Sequence, residues 1–140
     1  GEVLMANVLI IDDNKAYLKF ISGYVNENFP NLQIETCDNA IQGLAAISAE
    51  LDLLLLDLEM PDMDGKKLLA YAINLGLNKN RIIILSGHSA DFLHEQFPMG
   101  SCLAVLNKHE ARQKIVLDMI FNSLHGKSCC ADSKTGVRDE

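Results

Sequence analysis

Short runs of apolar residues alternate along this chain with longer stretches in which apolar residues recur every three or four positions. Short apolar runs predict buried β-strands, whereas the amphipathic stretches predict α-helices. The Leu-rich run at 53–56 has helical propensity, but its short length and the aspartates on either side favour a strand. The five predicted strands are 7–11, 33–37, 53–56, 81–85 and 102–106.

Five helices are predicted in the intervening segments, with Pro30, Gly76 and Pro98 as stop signals for the first, third and fourth. The second helix carries Ile41, Leu44 and Ile47 at helical spacing, and the fifth is predicted to turn Ile115, Met119 and Ile120 inward. The predicted helices are 15–29, 39–50, 66–75, 89–97 and 110–124.

The order of these elements predicts an α/β fold. Strands that are apolar throughout are buried on both faces, and a helix between consecutive strands implies right-handed crossovers. Five such units form a doubly wound five-stranded parallel sheet with five helices, which binds its ligands at the carboxyl ends of the strands. We expect one domain over 6–125. The segment 126–140 loses periodicity and is expected to be a disordered tail or linker.

The bulk composition narrows the function. The formal net charge is −7, which argues against binding to nucleic acid or to an anionic membrane, because both need clustered Lys and Arg. The four cysteines match neither a zinc site nor a secreted disulfide framework. No signal peptide or membrane span is visible in the sequence, so we expect a reduced, cytoplasmic setting.

Polar residues stand at the ends of four of the predicted strands. Asp12 and Asp13 follow the first strand, Asp57 the third and Ser86 the fourth, and Lys108 follows the fifth. Alone, each has an ordinary interpretation as a turn residue, a helix cap or a surface charge. Together they fall on one edge of a parallel sheet, so we expect them to converge on one pocket.

Three carboxylates in one pocket repel one another, and a divalent cation relieves that repulsion. An all-oxygen site suits Mg²⁺, which retains waters and binds a substrate phosphate. A lysine and a hydroxyl beside it stabilise negative charge on a transferring phosphoryl group. One carboxylate can then act as the nucleophile and become an acyl phosphate.

The segment 56–65, Leu-Asp-Leu-Glu-Met-Pro-Asp-Met-Asp-Gly, resembles the phosphoacceptor segment of response-regulator receiver domains. The Asp12–Asp13 pair, Ser86 with Gly87 beside it, and Lys108 stand where that family has its acidic pair, its hydroxyl residue with a small neighbour, and its lysine. The resemblance extends over about residues 6 to 125. It implies the flavodoxin-like receiver fold and a signalling switch rather than an enzyme.

The resemblance implies a role for each residue of the site. Asp57 is the implied phosphoacceptor, and a sensor histidine kinase or a phosphotransfer protein the implied donor. Mg²⁺ would be held by Asp13, Asp57 and the Glu59 backbone carbonyl. Asp12 would act on the metal through water, and Gly65 would supply the turn into the third helix.

Four further positions carry expectations of their own. The family carries an aromatic switch residue where this chain has Val105, so the usual aromatic read-out is not expected. The family follows its lysine with proline, often through a cis bond, whereas here His109 follows Lys108; we expect a trans bond. Glu59 and His88 occupy the positions that tune hydrolysis of the acyl phosphate in the family.

Other functions fit the sequence less well than a receiver does. A haloacid-dehalogenase-type phosphohydrolase would use Glu59 as its second acid, but it would leave the Asp12–Asp13 pair unexplained. A nucleotide-binding module would need a Gly-rich turn after the first strand, which is absent. A degenerate receiver used only for docking is disfavoured by the intact acids. A receiver cut from a larger regulator with an output domain stays open.

Overall fold

Strands and helices alternate along the chain, as the hydrophobic pattern predicts. The structure, a computed structural model, describes residues 5–133, apart from the side chains of Ala90 and of 125–133. Short 3-10 turns precede β6 and α5. In chain order the elements are β1 (Ala6–Ile11), α1 (Lys15–Asn28), β2 (Leu32–Cys37), α2 (Ala40–Ala46), β3 (Leu53–Asp57), β4 (Glu59–Met60), β5 (Met63–Asp64), α3 (Gly65–Asn74), β6 (Ile82–Ser86), α4 (Ala90–Gln96), β7 (Ala104–Asn107) and α5 (Lys114–Ser133).

The main sheet has five strands in the order β2-β1-β3-β6-β7, and every neighbouring pair is parallel. The predicted α/β fold, a doubly wound parallel sheet with five helices, is confirmed. The chain moves outward in one direction from β1 to β2 and in the other from β3 to β7. The switch point therefore lies between β1 and β3, where a ligand crevice is expected at the carboxyl ends.

Each face of the sheet carries its own apolar layer. Successive side chains of a strand point to opposite faces, so Leu55 joins the layer under α1 and α5, and Leu54 joins the layer under α2 and α3. Both leucines are fully buried. Burial of one such side chain contributes about 1.5–3 kcal/mol, which explains why this Leu-rich run forms a central strand despite its helical propensity.

Helix starts are set by short polar side chains. Asn14, Asn39 and Ser89 each accept a hydrogen bond from the backbone N–H three residues further on, at the starts of α1, α2 and α4. Asp64 caps α3 in a similar way by accepting from the N–H of Lys66. These caps place the first turns of the helices directly after the strand ends.

The second helix differs from its prediction. It ends at Ala46, because Ile47 adopts an extended conformation with ψ of 133°. Ile41, one of the apolar residues that mark this helix in the sequence, is 73% exposed. A Cβ atom added to Gly43 would lie 2.7 Å from Ile11 Cδ1. The helix therefore approaches the sheet through its glycine face, and this close approach turns Ile41 to solvent.

The fifth helix also differs from its prediction. Ile115 and Met119 are 68% and 70% exposed, so their predicted inward orientation is wrong, whereas Ile120 packs partly buried against the core. Among the described side chains of this helix, the fully buried ones are instead Leu117 and Phe121. Apolar residues occupy two adjacent stripes of this helix, and the direction from which it crosses the sheet selects one of them.

The backbone of α5 remains helical to Ser133, beyond the end predicted near 124. Residues 126–133, expected to be irregular, are thus a helical extension. The remainder of the expected tail, 134–140, lies outside the described residues. The domain limits 6–125 stay a prediction. Among the described helices, none is both long enough and apolar enough to span a bilayer.

Candidate functional site

Three carboxylates meet at the switch point of the sheet. Asp12 directly follows β1 and Asp57 ends β3, and neither side chain is exposed to solvent. Asp13 lies beside them on the exposed side. One carboxylate oxygen from each residue lies within 4.8 Å of the other two. The parallel pairing of Ile11 with Leu56 brings these strand ends to the same height.

Lys108 reaches the same pocket from the end of β7. Its backbone N–H donates to Ser86 O at 2.8 Å, which holds the turn after β7 against the end of β6. Its Nζ atom lies 3.1 Å from Asp57 Oδ2 and 3.9 Å from Asp12 Oδ2. The ammonium group therefore faces both buried carboxylates.

Burial strongly perturbs these acids. Desolvation, followed by the charge of Asp12, raises the pKa of Asp57 to about 7, although the backbone N–H of Glu59 and the Lys108 ammonium oppose the shift. Desolvation likewise raises the pKa of Asp12. Burial lowers the pKa of Lys108, but the charges of Asp12 and Asp57 outweigh it and raise that pKa. One lysine does not balance the acids, which favours a further cation.

The donor set fits a divalent cation of the magnesium type. Asp12 Oδ2 and Asp57 Oδ2 are buried and accept no well-aligned hydrogen bond from the described residues. The exposed Asp13 leaves the cluster open on one side, as a metal that keeps water ligands requires. Buried, under-satisfied carboxylate oxygens in an all-oxygen cluster are the ligands that Mg²⁺ prefers.

Ser86 is also buried at this edge, but its hydroxyl is engaged by Glu59. The Ser86 Oγ–H donates to Glu59 Oε2, and the Gly87 N–H donates to Glu59 Oε1 at 3.0 Å. The His88 N–H donates to Ser86 Oγ at 3.1 Å, and His88 Nε2 lies 3.6 Å from Glu59 Oε2. The Glu59 side chain thus joins the loop after β3 to the loop after β6.

The family resemblance implies a metal role for the Glu59 backbone carbonyl and gives no indication of this contact of its carboxylate. The signal was the matching offset of Glu59 and His88, each two residues beyond a site residue, Asp57 and Ser86 respectively. That offset places the two side chains above adjacent strand ends, where they can meet.

The loop after β3 forms a small hairpin of β4 and β5 that the sequence pattern did not predict. The Gly65 N–H donates to Leu58 O at 3.2 Å and closes it. A Cβ atom added to Gly65 would lie 2.6 Å from Leu58 Cα and 2.9 Å from Asp57 O. Only glycine fits this approach, which agrees with the turn expected of Gly65.

A tyrosine that the sequence did not single out lies under the pocket. Tyr17 is 2% exposed and its hydroxyl has no hydrogen-bond partner among the described residues. Desolvation, then the charge of Asp12, raises its pKa well above the ordinary value. The Arg112 guanidinium lies 5.2 Å from its ring centre. Helical spacing marked this position only as a neighbour of the core residue Leu18, so no sequence signal identified it.

The turn after β7 follows a path without a cis bond. No cis peptide bond occurs in the described chain, so the predicted trans bond between Lys108 and His109 is confirmed. Asn107 Oδ1 accepts from the His109 N–H at 2.8 Å, and Asn107 Nδ2 donates to His88 O at 3.1 Å. Val105 is partly buried against the core. Asn107 therefore organises the turn that delivers Lys108.

Known proteins resemble this chain in sequence and in fold. The model of the response regulator receiver domain family matches residues 8–120. The signal transduction histidine-protein kinase BarA of Escherichia coli strain K12 is 38% identical over 63 residues, which cover 44% of this chain and 7% of that protein. The chain thus spans a small part of this relative.

Solved receiver domains share the fold. The Francisella response regulator 1452 receiver domain is 23% identical with a TM-score of 0.72, covering 88% of this chain and 98% of that one. A CheY-like receiver domain protein from Methanospirillum hungatei JF-1 is 23% identical with a TM-score of 0.66, covering 94% and 99%. With the family match over most of its length, this chain belongs to the response regulator receiver domains.

Proposed function

We propose that this chain is a phosphorylation-activated switch of a two-component system and that Asp57 accepts the phosphoryl group. The observation that carries the proposal is the state of Asp57: its Oδ2 atom is buried, under-satisfied and 3.1 Å from the Lys108 ammonium. A carboxylate held at a strand end beside a fixed cation is oriented to act as a nucleophile.

The reaction is transfer from a phosphohistidine of a sensor kinase or phosphotransfer protein. An Asp57 carboxylate oxygen forms a bond to phosphorus while the bond between phosphorus and the imidazole nitrogen breaks. The imidazole keeps the electron pair and takes up a proton, and Asp57 becomes an acyl phosphate. The Lys108 ammonium lies 3.1 Å from Asp57 Oδ2 and would stabilise the negative charge of the phosphoryl group as it transfers, so its contribution is electrostatic.

The metal ligands belong to the same proposal. Asp13, Asp57 and the Glu59 backbone carbonyl would hold Mg²⁺, with Asp12 acting through a bound water. When bound, the ion neutralises charge on the acids and on the phosphoryl oxygens. The under-satisfied oxygens of Asp12 and Asp57 support this assignment.

The output of the switch is proposed to be the segment 86–97, which includes α4. The Ser86 hydroxyl would turn to the phosphoryl oxygens and draw the loop after β6 with it. With Val105 in place of an aromatic residue, a change in this loop and α4 carries the signal. The receiving partner is a protein surface, since the net charge of −7 disfavours direct binding of this segment to nucleic acid.

The setting is proposed to be cytoplasmic, where kinases and phosphotransfer proteins supply phosphohistidine. The chain would work as the receiver part of a larger regulator or alone. A dehalogenase-type hydrolase is not favoured, because the Glu59 carboxylate that would serve as its second acid is bound to Ser86 and Gly87. We therefore propose a switch rather than an enzyme.

The test is labelling with acetyl phosphate and Mg²⁺, followed by intact mass measurement. The wild type should gain one phosphoryl mass, and Asp57→Asn should gain none. Asp52→Asn is a matched control, because Asp52 is an acid just before the opposite end of the same strand. Equal labelling of Asp57→Asn and the wild type would contradict the proposal.

A further inference from the structure

The Glu59 side chain makes hydrogen bonds that the role implied for this residue, as a metal ligand through its backbone carbonyl, does not require. It accepts from the Ser86 hydroxyl and from the Gly87 N–H at 3.0 Å. Its side chain is 38% exposed, whereas Ser86 is fully buried. A partly solvated anion thus binds two donors on the wall of the phosphorylation pocket.

Those donors stand next to the site of chemistry. Asp57 pairs with Leu85 in the sheet, and the Leu58 N–H donates to Leu85 O at 2.8 Å. Ser86 and Gly87 are the next two residues along β6 and its loop. A phosphoryl group attached to Asp57 would therefore lie close to the Ser86 O–H and the Gly87 N–H. The Lys108 ammonium would be close to the same group.

A serine hydroxyl has one proton to donate, and a backbone amide has one. Neither can serve the Glu59 carboxylate and a phosphoryl oxygen at full strength at the same time. The pocket can therefore hold one anion on these donors, and in the unphosphorylated protein that anion belongs to the chain itself.

We propose that Glu59 is an internal stand-in for the phosphoryl group, a positioning residue that must release Ser86 and Gly87 before they can bind a phosphoryl group on Asp57. This inference rests on the proposed function of Asp57 and goes beyond an influence on hydrolysis, since it concerns the protein before phosphorylation. The exchange also frees Ser86 and Gly87, at the end of β6 and in the loop after it, from the hairpin after β3. His88 Nε2, 3.6 Å from Glu59 Oε2, is a ready partner for the released carboxylate.

Removal of the Glu59 carboxylate should raise the affinity of the pocket for a phosphoryl analogue. Hydrogen bonds to a charged acceptor are about twice as strong as neutral ones, so their loss frees both donors for an incoming anion. We expect Glu59→Ala to bind beryllofluoride, a phosphoryl analogue, about tenfold more tightly than the wild type in the presence of Mg²⁺. Glu59→Gln, which keeps a neutral acceptor, should fall between the two.

The matched control is Asp62→Asn. Asp62 belongs to the same hairpin and carries the same charge, but its carboxylate accepts from the Ala40 N–H and not from Ser86. Asparagine retains an acceptor there, so this variant removes only charge. Its affinity for beryllofluoride should remain within about twofold of the wild type.

A second measurement needs neither metal nor analogue. In the ¹⁵N–¹H spectrum of the metal-free protein, the Gly87 amide should shift in Glu59→Ala and to a smaller extent in Glu59→Gln, but not in Asp62→Asn. Beryllofluoride with Mg²⁺ should move the same resonance in the wild type.

The outcomes separate the two hypotheses. Equal affinity of Glu59→Ala and the wild type, or an equal gain in Asp62→Asn, would overturn the stand-in role while leaving Asp57 as acceptor. An unmoved Gly87 amide in metal-free Glu59→Ala would also overturn it. If no variant, the wild type included, binds beryllofluoride while Gly87 still shifts, the proposed function itself fails and the stand-in role falls with it.

Discussion

The loop after β3 and the loop after β6 meet at the Glu59 carboxylate but are held in place by different means. Backbone contacts hold the first: the Gly65 N–H donates to Leu58 O at 3.2 Å, and β4 pairs with β5. Side chains hold the second, through Glu59 and through Asn107 Nδ2, which donates to His88 O at 3.1 Å. A loop held by side chains can exchange partners, whereas one held by its backbone keeps its shape. This difference fits a switch in which the acceptor stays still and the read-out moves.

The largest expected effect tests the rigid loop. Gly65→Ala would place a methyl group 2.6 Å from Leu58 Cα, so we expect a loss of about 2–3 kcal/mol in the free energy of unfolding. Gly87→Ala is its counterpart in the other loop, where the nearest atom to the new methyl group is Glu59 Oε1 at 3.8 Å. Its loss should stay below about 0.5 kcal/mol. Urea denaturation of both variants measures the difference, and equal losses would remove the contrast between the loops.

The next effect is the contribution of Asp57, at the end of β3, to the free energy of unfolding, and it depends on pH. The pKa of Asp57 is raised to about 7 in the folded protein, chiefly by burial and then by Asp12. Between pH 4 and 7 the folded state binds more protons than the unfolded state, so stability falls as pH rises through this window. In metal-free protein, the free energy of unfolding of Asp57→Asn should therefore be close to that of the wild type near pH 4. At pH 8 it should exceed the wild-type value by about 2–4 kcal/mol. Denaturant unfolding across this range measures the gain, and a gain independent of pH would contradict the cause given.

Affinity for Mg²⁺ should depend on Asp13 but not on Lys108, which lie on different sides of the pocket. Asp13 belongs to the acid cluster, whereas the backbone N–H of Lys108 donates to Ser86 O, next to the loop after β6. Asp13→Ala should weaken Mg²⁺ binding by about 10–100-fold, because one carboxylate ligand is lost. Lys108→Ala should leave it within a few-fold and impair the response to phosphorylation instead. Titration calorimetry measures the Mg²⁺ affinity of both variants. Wild-type affinity in Asp13→Ala would refute the metal role of Asp13.

The smallest effect is a change in backbone protection. On binding of beryllofluoride with Mg²⁺, hydrogen exchange should change by about threefold or more across 86–97 and by less than about twofold across 59–65. Ser86→Ala should still accept a phosphoryl group on Asp57, yet it should show a reduced change in 86–97. A response confined to 59–65 would reverse the assignment of the fixed and movable loops.

Much of the site follows from the order of residues along the chain. Buried strands that end in polar residues must bring those residues to one sheet edge, so Asp12, Asp57 and Lys108 could be placed together before their contacts were known. The departures Val105 and His109 were equally visible. The trans bond before His109 followed from the high cost of cis at a residue other than proline.

Helix orientation was harder to predict. In α5, two apolar stripes satisfy the helical period, and the buried one contains Leu117 and Phe121 rather than Ile115 and Met119. In α2, the close approach of Gly43 to Ile11 exposes Ile41. Periodicity states that a helix has an apolar face, but when two faces compete the choice depends on how the helix crosses the sheet.

The sequence by itself determined the alternation of elements, the parallel sheet and the convergence of acids, serine and lysine, because these depend on local pattern and on the direction of the strands. Only the tertiary structure decided what each side chain does within the pocket. The hydrogen bonds of the Glu59 carboxylate to Ser86 and Gly87 depend on distances between residues far apart in the chain, and so does the lack of a partner for the Tyr17 hydroxyl among the described residues. Spacing along the chain carries no record of such distances, since they arise from packing between separate loops and helices.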